Sequence, residues 1–113
     1  MGNPGASLMS GIPELLLLRL LARREMYGYE LARDVRLATG EAIDLGEGVL
    51  YPALHALEKR KYLASRRRAV DGRTRIYYRI TPAGRRRLDR LMDDWRRIAA
   101  GVGAALERSS AHD

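Results

Sequence analysis

The chain has 113 residues and a formal net charge of +7, from 21 Lys and Arg against 14 Asp and Glu. Its length allows one domain with a modest core, and the absence of Cys excludes a disulfide framework and a thiolate metal site. His55 and His112 are too few and too far apart for a metal cluster, no cofactor is implied, and no apolar run approaches the ~18 residues of a membrane span.

The charge is concentrated. Residues 59–90 hold thirteen Lys and Arg against Asp71 and Asp89, a net +11, which leaves −4 for the remainder. A field so uneven points to a polyanionic partner, nucleic acid or an anionic membrane surface. With no basic amphipathic helix in the pattern, nucleic acid is the better fit, and a cytoplasmic protein without a signal peptide is expected.

In chain order, residues 1–10 are rich in Gly, Pro, Ser and Asn and read as a disordered arm. Ile12-Pro13-Glu14 opens a helix to Leu21, with Pro in the first turn. Leu15, Leu18 and Leu21, backed by Leu16, Leu17 and Leu20, make it apolar around most of its circumference. Such a helix needs cover on several sides, from its own domain and from a second subunit. Tyr27-Gly28-Tyr29 breaks the pattern. Glu30–Thr39 reads as a second helix with Leu31, Val35 and Ala38 inward and Gly40 at its C′ position.

After a polar linker, Leu50, Ala53, Leu54 and Leu57 fall at i, i+3, i+4 and i+7, a third helix from Glu47 to about Lys61. Pro52 lies inside it and deprives the Gly48 carbonyl of its helical donor. The period then changes to two. Leu63–Val70 and Arg73–Ile80 flank Asp71-Gly72, a hairpin dipeptide, with Ile76, Tyr78 and Ile80 on an apolar face and Arg75, Tyr77 and Arg79 opposite.

Thr81-Pro82 supplies an N-cap and a Pro at N1 for a last helix running to Leu106, followed by a polar tail over 107–113. Leu88, Leu91, Met92, Trp95, Ile98, Ala99, Val102 and Leu106 recur every three or four residues. This stripe exceeds what a small core needs, and its simplest use is pairing with a second copy.

The order of helix, helix, helix, ribbon and long helix predicts an α+β protein, mainly α with a small β-ribbon. The expected fold is a winged helix-turn-helix over 11–80 with a C-terminal dimerisation helix over 81–106. In that architecture the third helix enters the major groove and the wing grips the neighbouring backbone. Candidate DNA contacts are Tyr51, Pro52, His55 and Lys59 on the helix and Arg66, Arg67, Arg68, Arg73 and Arg75 on the wing. His55 reads equally as a solvated histidine, and Arg85, Arg86, Arg87 and Arg90 as a solvated face. Candidate dimer contacts are Leu15, Leu18, Leu88, Leu91, Trp95, Ile98, Val102 and Leu106.

Tyr27-Gly28-Tyr29-Glu30-Leu31, Gly48-Val49-Leu50-Tyr51-Pro52-Ala53-Leu54 with Leu57-Glu58, and the run from Gly72 through Arg73-Thr74-Arg75-Ile76-Tyr77-Tyr78 to Thr81-Pro82-Ala83-Gly84 resemble the PadR family of bacterial transcriptional regulators. The resemblance spans Ile12 to Leu106, and the single last helix is similar to the family's compact subgroup. It implies a homodimeric repressor on a palindromic double-stranded DNA operator, released by a small molecule, with Tyr51 and Pro52 at the start of the reading helix. Many members carry Thr or Ser where this chain has Val49, so one phosphate contact is missing. Some compact members hold flat aromatic or phenolic compounds between paired tryptophans. By that resemblance Trp95, with Asp94, Met92, Leu91 and Ile98, is a candidate effector site; otherwise Trp95 is an interface anchor. Asp93 and Asp94 would favour a cationic ligand.

An enzyme is not expected. His55 and Glu58 share a face without a nucleophile beside them, and Gly46-Glu47-Gly48 lacks the third glycine of a dinucleotide turn. The alternative is a basic dimeric ligand- or protein-binding module with incidental DNA affinity.

Overall fold

A computed structural model of the chain describes residues 11–111. The expected arm over 1–10 and His112 lie outside the described residues. Among the described residues, four helices and a three-stranded antiparallel sheet follow the order α1 (Ile12–Leu21), β1 (Met26–Tyr27), α2 (Gly28–Ala38), α3 (Glu47–Lys59), β2 (Leu63–Val70), β3 (Arg73–Ile80) and α4 (Pro82–Ala111). No helix among the described residues is long and apolar enough to cross a membrane.

Helix α1 begins at Gly11, whose φ of 85° is in the left-handed region open to glycine, and Pro13 occupies its first turn. It packs against α2, α3, α4 and β3, which is why leucines can line nearly its whole circumference. Leu17, Leu18, Leu20 and Leu21 are buried, and Leu15 and Leu16 partly so. Around them Leu31, Val35, Leu50, Leu54, Leu57, Leu63, Tyr78 and Leu88 complete one core.

Two helix ends use the same device. At the end of α2 the Glu41 N–H bonds to the Arg36 carbonyl and the Gly40 N–H to Leu37, with Gly40 at φ 59°. At the end of α3 the Tyr62 N–H bonds to the Leu57 carbonyl and the Lys61 N–H to Glu58, with Lys61 at φ 68°. Both are Schellman motifs that satisfy orphan carbonyls. The second ends α3 at Lys59, two residues before the expected limit. Pro52 leaves α3 continuous, and the Gly48 carbonyl it orphans belongs to an exposed residue within reach of water.

The turn at Asp71-Gly72 has positive φ at both residues, 51° and 76°, as a type I′ hairpin requires. The sheet order is β1-β3-β2, with Met26 and Tyr27 opposite Tyr78 and Tyr77. β1 was not expected. It occupies the supposed break at Tyr27, and α2 starts at once from Gly28, two residues ahead of Glu30, with the Tyr27 N–H held by the Glu30 carboxylate at 3.2 Å.

The strand faces also differ from the alternation. Tyr78 and Ile80 are buried, but Ile76 is 46% exposed because the ribbon has by then passed beyond the helices. Tyr77, on the opposite face, is buried beside β1, its ring 5.3 Å from that of Tyr27.

Thr81 caps α4 by accepting the Gly84 N–H at 3.0 Å, while its hydroxyl donates to the Lys61 carbonyl at 2.7 Å. Gly84 is buried against the Tyr62 carbonyl and Ile80 with no room for a Cβ. α4 then runs 30 residues, about 45 Å at 1.5 Å per residue, and continues to Ala111 rather than ending at Leu106.

Candidate nucleic-acid interface

With Leu50, Leu54 and Leu57 turned into the core, α3 presents Tyr51, Pro52, His55 and Lys59 on its outer side. Tyr51 is 38% exposed, and its ring lies 6.4 Å from the His55 ring. The hydroxyl end of Tyr51 rests on Gly28, where a Cβ would fall 2.9 Å from Tyr51 Cζ. The glycine that opens α2 thus provides the seat for the tyrosine of α3. Burial, and then the nearby Glu58 and Tyr51, push the Tyr78 hydroxyl above the usual phenol range.

The wing arginines divide between two faces. Strand register places Arg66 opposite Tyr77, Arg68 opposite Arg75, and Arg67 opposite Ile76. Ser65, on the Arg67 side, hydrogen-bonds to Glu58 of α3, so Arg67 and Ile76 share the α3 side of the ribbon. The opposite side carries Arg66, Arg68, Arg75 and Arg79. There the Arg66 guanidinium is clamped by Glu25, with Nε and Nη2 donating to Oε2 and Oε1 at 2.7 and 2.6 Å. That hydrogen-bonded pair holds the Glu25 carboxyl below the usual range and raises Arg66 further, with Arg68 and Arg79 adding to the field at Glu25. Arg68 lies over Tyr77 at 4.6 Å and Arg75 over Tyr27 at 4.5 Å. Arg73, beside the turn, is exposed.

The basic cluster at the start of α4 has separate duties. Arg87 Nε donates to Glu14 of α1 at 2.8 Å, which raises the Arg87 pKa, and Arg85 reaches the Ala22 carbonyl at 3.4 Å. Arg60 approaches the same Glu14 at 4.0 Å and stacks 5.0 Å from Tyr62. Arg86 and Arg90 are exposed.

A second region lies on the far side of α1. Gly11, Ile12 and Leu15 face Leu91, Trp95, Ile98 and Val102 of α4 across an apolar groove of about 620 Å³. Trp95 is 48% exposed there. Leu91, Asp94, Trp95 and Ile98 of the candidate effector residues line the groove; Met92 does not, because it packs on the core. Of the candidate dimer contacts, Leu18 at 0% and Leu88 at 5% exposure have no surface left for a partner, since α1 and the root of α4 bury them within the chain. Ile12 joins the groove unforeseen: one apolar residue ahead of a proline carries no periodic signal.

Residues 17–90 match the Transcriptional regulator PadR-like family. The chain belongs to that family. This PadR protein is 41% identical over 71 residues to the Transcriptional regulator Rv3488 of Mycobacterium tuberculosis, covering 63% of this chain and 64% of that one. It is 30% identical over 103 residues to an uncharacterized protein of Lysinibacillus sphaericus, covering 90% and 94% of the two chains. Its fold matches a transcriptional regulator from Clostridium thermocellum with a TM-score of 0.80 at 30% identity, over 86% of this chain and 95% of that one. A PadR family transcription regulator from Clostridium difficile matches with a TM-score of 0.74 at 30% identity, over 85% and 99%. The PadR protein is therefore a DNA-binding transcriptional regulator rather than an enzyme.

Proposed function

We infer that this PadR protein is a homodimeric repressor of a two-fold symmetric operator, released when a flat aromatic compound enters the groove beside Trp95. The observation that carries this reading is the placement of an exposed apolar stripe, Trp95, Ile98 and Val102, along a helix rooted at the DNA-binding unit. Apolar surface of that extent is seldom left to water. A second α4 lying across the groove covers it, with Leu15, Leu91, Trp95, Ile98, Val102 and Leu106 at the contact, and pairs two reading helices about one axis.

On each half-site Tyr51, Pro52, His55 and Lys59 enter the major groove. Arg67 and the turn residue Arg73 take the adjacent minor groove, while Arg75 stands on the other side of the ribbon over Tyr27. Arg66 is committed to Glu25 and has no base-reading role. Sedimentation at micromolar concentration should give a dimer. Binding to a selected palindrome should exceed binding to random duplex by roughly 10³ or more at physiological salt. Trp95 is the single tryptophan, so quenching by planar cations or phenols, with matching loss of operator binding, reads the effector site directly. A monomer, or equal affinity for every duplex, would sink the reading.

A further inference from the structure

The wing has two sides, and the operator reading uses only the one that faces α3 together with the turn. The other side is built in two layers. Tyr27 and Tyr77 form its floor, 5.3 Å apart, and Arg68 and Arg75 lie flat upon them. Arg79 continues the row along β3 and Arg66 stands beside it on β2. A guanidinium stacked on a ring is already ordered, so little rotamer freedom is lost when its N–H edge meets an anion.

Charge on this side is one-sided. Glu25 neutralises Arg66, but Arg68, Arg75 and Arg79 have no carboxylate partner among the described residues. Alternate residues of a strand are about 6.8 Å apart, so Arg75 to Arg79 spans about 14 Å, comparable to four base-pair rises of about 3.4 Å. A row of that length with that charge matches the phosphates of one nucleic-acid strand.

Position selects which strand. With α3 in the major groove and the ribbon in the next groove, the duplex continues past the ribbon on the side away from α3. That is the side that Arg68 and Arg79 face.

We propose that the outer side of the sheet, through Arg68 on the tyrosine floor and Arg79 further along β3, grips the backbone of DNA flanking the operator and bends it toward the protein. The inference rests on the reading-helix assignment above. Specificity then gains a shape component, because flanks that bend easily bind more tightly although no side chain reads their bases.

Two duplexes test it: the minimal operator, and the same operator extended by about one helical turn, roughly 10 base pairs, on each side. The wild-type protein should bind the extended duplex roughly tenfold more tightly, with a salt slope steeper by about 0.9 for each phosphate gained. Fluorophores on the two ends should approach one another in the complex. The variant Arg79→Gln should lose much of the gain from extension and keep its affinity for the minimal operator. Lysine at that position should restore most of the gain, which separates lost charge from lost folding. Extension that changes neither affinity nor end-to-end distance would overturn the proposal. So would an Arg79→Gln variant weakened equally on both duplexes, because Arg79 would then belong to the operator contact itself. If the wild-type protein selects no duplex at all, the operator reading falls first and this inference with it.

Discussion

The wing and the α4 groove are both exposed, yet they meet water on different terms. On the wing three of the six arginines are already held: Arg66 by Glu25, Arg68 on Tyr77 and Arg75 on Tyr27. Along α4, by contrast, Trp95, Ile98 and Val102 are about half exposed. Charged groups gain from solvation and need only be held in place, so a ribbon can stand alone once its side chains are ordered. An apolar stripe gains nothing from water and is stable only when covered. One region is prepared for a partner it can exist without; the other is completed only in the dimer proposed above.

The sharpest way to break that contrast is to charge the uncovered stripe. Ile98→Asp places a carboxylate in the groove, and it should convert the dimer to monomer by sedimentation and lower operator affinity on the order of 100-fold. The thermal midpoint of the separate chain should change little, because Ile98 is 55% exposed and is not among the buried core residues. A dimer that survives would mean that α4 is not the interface.

The junction between the regions is the next most sensitive point. Gly84→Ala forces a Cβ into the Tyr62 carbonyl and Ile80, so it should cost about 1–3 kcal/mol in denaturant unfolding, the range typical of overpacking. Gly103→Ala, where a Cβ meets open space, should cost nothing by the same assay.

Where α2 meets α3, Gly28→Ala should lift the Tyr51 ring off its seat. Its expected signature is a change in operator preference with a loss of about 1–3 kcal/mol at the base pair read by Tyr51. The protein should remain folded, since Tyr51 is 38% exposed and outside the buried core.

The smallest effect concerns Glu25. Its carboxyl is held below the ordinary value of about 4.3, so the clamp contributes stability above that value and loses it as pH falls through the lowered one. Acid unfolding curves of the wild type and of Glu25→Gln should differ near neutrality and converge in strong acid. At neutral pH the variant releases Arg66 and should steepen the salt dependence of DNA binding by up to about 0.9 per protomer. Parallel acid curves would show that the pair carries no stability.

Local chemistry was readable from the chain wherever it acts within a few residues. The Asp71-Gly72 turn, the Thr81-Pro82 start and the Leu50, Leu54, Leu57 stripe each stand where expected. What failed was knowledge of neighbours. Periodicity gives an apolar face to Leu18 and Leu88 without saying that α1 and α4 already cover one another there. Alternation assigns Ile76 to the core without saying where the helices stop. Met26–Tyr27 is too short to show a period at all, yet it buries Tyr77 and creates the floor on which two arginines rest. Of the nine candidate DNA contacts, Arg66 was the least legible, because the acid that occupies it stands 41 residues away.

Thr81 has a mechanical consequence. Its hydroxyl fastens the end of the reading helix's turn to the first turn of α4, and Gly84 closes the same joint without a side chain between. The end of α3 and the start of α4 therefore meet at one fixed joint, from which α4 extends as an arm of about 45 Å. About such a joint a displacement of about 1 Å at the far end of α4 is a turn of little more than a degree. A ligand that alters DNA binding from the groove must act close to the joint, at Leu91 and Trp95, rather than near Leu106.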